Sequence, residues 1–345
     1  MSHEEAEVNL PPKALFLLQS FGALAESADD PDARVQWAGD VRDFIYETAA
    51  SDSTTARTLL DVLGKLNEIV DDPDLRAVWG EATMNYVALV APNEPAVARE
   101  MLDQFAAARD EHDDPGMREG WAKCAINFLN GVAANDPDLA YEILGAVDTL
   151  QKAHDEEILR AIWAMCAVNV VYYTGAADPE RARPLIDALD ALQKAHDEPV
   201  LREQFARCVG IFLEQNAAAD PPAARTLLDA LSKLCDAQDD PALWEHWRKI
   251  VGNFIIDTAE ADPRGVRAVL AEFSKLRDAH EEDSDLREAW ARCALMFASI
   301  AIESHPTIVH PVLKELDALR ERFNEPRLGQ DDEEEEEEEE EEDTE

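Results

Sequence analysis

Positive charge is scarce in this sequence: 31 Lys and Arg stand against 75 Asp and Glu, a formal net charge of −44. A surface of that sign repels phosphate, which argues against direct nucleic-acid binding. Long apolar runs are missing as well. None reaches the roughly 18 residues that a membrane span requires. The opening "MSHEEAEVNLPPK" is acidic where an export signal starts basic. A cytoplasmic protein without membrane contact is therefore expected. Cysteine is held to five, an odd number that fits reduced thiols better than a disulfide framework. The chain also lacks CxxC, HExxH, GxSxG, Walker A and GxGxxG motifs, so no catalytic residue, metal or cofactor is expected.

The acids are unevenly spread. Fourteen of them crowd into the last fifteen residues, "DDEEEEEEEEEEDTE", which leaves 61 acids against 31 bases in the remaining 330 residues. Ten like charges from Glu333 to Glu342 repel one another and offer nothing to bury. Residues 326–345 are thus expected to be a disordered poly-acidic tail, and 1–11 a flexible N-terminus. With 22 Arg to 9 Lys, many Ala and few aromatics, the body resembles the proteome style of salt-accumulating archaea, whose molar salt screens self-repulsion within about 3 Å. The alternative is an ordinary acidic protein with basic partners.

What the sequence has in abundance is repetition. "DDPDLRAVWGEA" at 71–82 is echoed by "DDPDARVQWAGD" from Asp29, "DDPGMREGWAKC" from Asp113, "DEEILRAIWAMC" from Asp155, "DEPVLREQFARC" from Asp197, "DDPALWEHWRKI" from Asp239 and "DSDLREAWARC" from Asp283. The aromatic of each phrase, Trp37, Trp79, Trp121, Trp163, Phe205, Trp247 and Trp290, recurs in steps of 42 and finally 43. A second phrase, as in "TARTLLDVL" at 55–63 and "AARTLLDAL" at 223–231, keeps the same beat. Around Trp79 the apolar residues Leu75, Ala82, Tyr86, Val87 and Val90 trace one face of a 3.6-residue helix. Asp followed by Pro opens most segments, Asp as the cap and Pro at the first helical position. Each repeat therefore predicts a helix A of about 16 residues and a helix B of about 20. Neither buries its apolar stripe until neighbouring repeats stack on it.

The order of an A helix, a turn with Asp, and "DPxLR" opening a B helix resembles the HEAT and armadillo-type repeats. The expected fold is all-α: a right-handed α-solenoid of about seven 42-residue two-helix repeats plus a C-terminal capping helix, one domain over 12–325. The resemblance implies that the turn Asp and Arg form a stacked polar ladder, assigning structural work to Arg34, Arg76, Arg118, Arg160, Arg202 and Arg287. Trp79, Trp121, Trp163, Trp247 and Trp290 are expected in the core.

Several repeated columns invite a functional reading. His112, His154, His196 and His280 fall in the turn between A and B; equivalent positions lie about 10 Å apart, too far to share a zinc, which favours a turn-stabilising role. Cys124, Cys166, Cys208 and Cys293 follow the aromatic by three and are read as small core residues. Asn85, Asn127, Asn169 and Asn253, six after the Trp, could bond a peptide backbone. Lys123, Arg207, Lys249 and Arg292 form a basic ridge, each with a Glu four residues earlier. Repeat six breaks the pattern, with Trp244 in place of the ladder Arg. Trp244 and Arg248, with Lys249 beside them, could anchor a partner. The expectation is a noncatalytic scaffold that binds another protein or peptide. An acidic chaperone or nucleic-acid mimic shielding basic proteins comes second, and an enzyme with a groove site third.

Overall fold

The structure, a computed structural model, describes residues 10–26, 30–238 and 240–323. The acidic tail and residues 1–9 of the N-terminus lie outside the described residues. Packing divides the chain into two compact units, Met1–Cys208 and Val209–Glu345.

Among the described residues there are fifteen α-helices and no strands, with consecutive helices packed as pairs. The all-α repeat array expected from the sequence is thus present, closed by a final helix near the C-terminus. In the first unit run α1 (Pro12–Glu26), α2 (Pro31–Thr48), α3 (Ser53–Val70), α4 (Pro73–Val90), α5 (Pro95–His112), α6 (Pro115–Val132), α7 (Pro137–His154), α8 (Glu157–Thr174) and α9 (Pro179–His196). The boundary between the units falls inside α10 (Pro199–Asn216). The second unit continues with α11 (Pro221–Gln238), α12 (Pro241–Thr258), α13 (Pro263–Ala279), α14 (Ser284–Ala301) and α15 (Pro306–Phe323). Odd numbers are A helices and even numbers B helices. No described helix is long and apolar enough to cross a membrane.

Nearly every helix holds 18 residues, so the A helices are longer and the B helices shorter than the sequence suggests. The A helix gains its extra length at the C-terminal end. His112, His154 and His196 are its last helical residues rather than part of the turn, where the helix dipole favours them. His280 is the C-cap of α13. The helix then stops on an aspartate, Asp71, Asp113, Asp155 or Asp197, in the left-handed region at φ 47°, 39°, 50° and 50°. The next residue starts the B helix: the carboxylates of Asp72 and Asp114 accept from the backbone N–H of Asp74 and Met117. Two turn residues therefore suffice between A and B. Asp52, Asp136, Asp178 and Asp262 cap A helices in the same manner.

In the first unit the B helices lie side by side, α2 on α4, α4 on α6 and α6 on α8. Small buried residues allow this approach: Ala38, Gly80, Ala122 and Ala164 one residue after each Trp, and Ala82, Cys124 and Cys166 three after it. The repeat tryptophans fill the space between the helix layers, with Trp37, Trp79, Trp121 and Trp163 no more than 6% exposed. On the A side α3 and α5 leave room between them. In the second unit α12 packs on α14, and Trp290 is fully buried with its Nε1–H donating to the Leu270 carbonyl at 3.2 Å. There Gly210 of α10 makes way for Ile250, which stands where other repeats keep a small residue: a Cβ on Gly210 would meet Ile250 Cδ1 at 3.2 Å.

Candidate functional site: a cleft and an apolar stripe on the B helices

The turn arginines form links both within and between repeats. Arg118 donates from Nη1 to the Asp113 carbonyl and carboxylate, each at 2.8 Å, and from Nε to Glu156 of the next repeat at 2.9 Å. Arg160 repeats the arrangement with Asp155 and, through Nε at 2.9 Å and Nη2, with Glu198. Its hydrogen bond to Glu198 raises the guanidinium pKa above the ordinary arginine value. Arg76 meets Asp71 at 2.5 Å and Arg202 meets Asp197 at 2.8 Å. Arg287 donates to the Glu281 carbonyl and lies over Phe323, 4.2 Å from its centroid. Arg34 is buried, and its turn residue Asp29 lies outside the described residues. His154 and His196 reach back to Asp113 and Asp155 at 3.9 and 3.8 Å.

The link to Glu156 was not visible as a motif, though its cause is a single methylene. Where the helix-opening residue is Asp, as at Asp114, the carboxylate caps its own helix. Where it is Glu156, the side chain makes no cap hydrogen bond and reaches the preceding repeat's arginine instead.

On the outward face of the B helices the first unit carries a cleft of about 480 Å³ between α4 and α6. Its cause is a pair of glycines. Gly80 stands one residue after Trp79, where most repeats carry Ala, and Gly120 one before Trp121, where others carry Val78, Ile162 or Gln204. A Cβ at either would lie 3.2 or 3.0 Å from the Phe105 ring, which packs edge-on against Trp79. Around this opening stand Arg76, Glu81, Met84, Glu119 and Lys123. In the same register, two residues after the aromatic, α8 presents Met165. With Ile158 and Tyr172, each seven residues away, it forms one line along the helix. These three are 39%, 41% and 57% exposed in chain order, and Tyr173 packs edge-on against Tyr172.

The Asn column is split by the structure. Asn85, Asn127 and Asn169 are half-buried on this face, and Asn169 donates to the Asn130 side chain at 2.7 Å. Asn253 is exposed in the second unit, in a groove of about 570 Å³ between α12 and α14 that also holds Arg248, Lys249 and Arg292. Two of these charges are paired along their own helices: Lys249 bonds Glu245 at 2.7 Å and Arg292 bonds Glu288 at 2.8 Å. Lys123 is likewise tied to Glu119. Trp244 does not line that groove but packs edge-on against buried Trp247, ring centroids 5.6 Å apart.

All five cysteines are buried, and burial pushes the Cys208 and Cys293 thiols up to about 12 and about 11. Among the described residues no cluster of three His, Cys, Asp or Glu is placed to hold a metal ion. No protein-family model matches the chain, and no curated protein matches it.

Proposed function

We propose that this chain is a noncatalytic repeat scaffold that holds another protein through an extended segment laid across the B helices of the first unit. One observation supports this above the rest. A protein so acidic leaves Ile158, Met165 and Tyr172 uncovered in a line on α8, with Tyr173 beside it, on the face where Gly80 and Gly120 open a cleft down to Phe105. Exposed apolar surface rimmed by charge marks interaction sites. The half-buried Asn85 and Asn127 stand beside it as donors and acceptors for a peptide backbone.

We read the repeats as HEAT-type, on the strength of the Asp113–Arg118 and Asp155–Arg160 turns, and the acid surplus as adaptation to a salt-rich cytoplasm. Five buried free thiols suit that reducing compartment.

A random-peptide library selected on the full chain tests the scaffold reading. Met165→Glu combined with Tyr172→Glu alters exposed positions only, so the fold should hold. Selected peptides should bind this variant at least roughly tenfold more weakly, as loss of interface anchors implies. Equal affinity for both proteins would overturn the reading. The competing idea, an acidic shield for basic proteins, predicts binding that tolerates sequence, vanishes in salt and ignores these two substitutions.

A further inference from the structure

On the A side of the first unit a cleft of about 780 Å³ opens between α3 and α5. One polar group in its lining is unused. Asn67 is only 8% exposed, yet its Oδ1 has no hydrogen-bond partner among the described residues. The Trp79 indole lies beside Gly64, whose missing Cβ would sit 3.2 Å from Nε1. A buried acceptor without a partner is a cost that proteins seldom leave standing.

The same position in two other repeats shows what fills it. Twelve residues before Trp121 stands Arg109, with its guanidinium carbon 4.4 Å from the centre of the indole. Asp110, the next residue, holds that guanidinium at 2.9 and 2.5 Å. In the last repeat Arg277 lies 4.3 Å over Trp290 and is held by Asp278 at 2.8 Å. Repeat two keeps the indole, Trp79, and keeps the acid, Glu68, but has the short Asn67 where the arginine would be. Glu68 lines the cleft, and Glu111 stands across it.

We propose that this cleft is a receptor for an arginine side chain of a partner protein. The incoming guanidinium takes the place that Arg109 and Arg277 occupy in their own repeats, against the indole of Trp79. It donates to Asn67 Oδ1 and to the Glu68 carboxylate. A planar five-donor fork fits this set where a point-charge ammonium does not. The site lies on the opposite helix layer from the Met165 face and is independent of it.

The test uses the full chain with ¹⁵N-labelled tryptophan, the Trp79 indole resonance being assigned by its loss in Trp79→Phe. Acetyl-arginine methylamide should shift that resonance in a saturable way, and the citrulline analogue should not. Asn67→Arg supplies the guanidinium from within. It should keep the thermal midpoint and abolish the response, while Glu68→Gln should weaken binding roughly tenfold. An unmoved Trp79 resonance, an equal response to citrulline, or an Asn67→Arg protein that still responds would each overturn the proposal.

Discussion

Asp113 ends α5 at φ 39°, where glycine is the residue of least cost. The carboxylate explains the choice, since Arg118 donates to it and to the carbonyl of the same residue. Left-handed backbone costs an alanine about 1 kcal/mol, and the side chain of Asp113 is 65% exposed, which limits its ion pair to under about 1 kcal/mol. The two effects add for Asp113→Ala and oppose each other for Asp113→Gly. Urea unfolding should place Asp113→Asn near the parent, Asp113→Gly slightly below it, and Asp113→Ala lowest by roughly 1–2 kcal/mol. The sequence shows that an aspartate recurs here; it does not show the left-handed turn, because nothing in "HDDP" distinguishes a helical His from a turn His.

Helix starts were legible because Asp-Pro has a local mechanism, and the packing of each Trp was legible from its period. The B-face cleft was not. Gly80 and Gly120 sit 40 residues apart in different columns of the repeat, and each looks harmless alone; only the pairing of α4 with α6 turns two missing methyls into an opening. Trp244, which breaks the pattern of repeat six, packs edge-on against its neighbour Trp247, a contact the sequence pattern does not show. Glycines in the helices also separate by surroundings. A Cβ on Gly131 would lie 2.7 Å from Ala91 Cβ and 3.2 Å from the Ala91 carbonyl carbon, whereas one on Gly145 meets nothing within 4 Å. Gly131→Ala should therefore cost about 1–3 kcal/mol, and Gly145→Ala should gain about 0.5–1 kcal/mol. Thermal unfolding of the two variants against the parent checks both signs.

For the chain as a whole, a charge of −44 opposes compaction unless ions screen it. The salt-adapted reading predicts a rise in the thermal midpoint as KCl goes from dilute to about 1 M, where the Debye length falls to about 3 Å. A midpoint already at its plateau in dilute buffer would remove that reading and leave the ordinary acidic protein in its place.

Glu156 and Glu198 give the array a preferred order of opening. Each has lent its carboxylate to a buried arginine of the repeat before it, so three successive hairpins are fastened in series, whereas ties such as Arg42–Glu81 and Arg99–Glu142 join other repeats through more exposed side chains. Fraying that starts at an end should slow at this fastened stretch, and the exposed line on α8 lies within it.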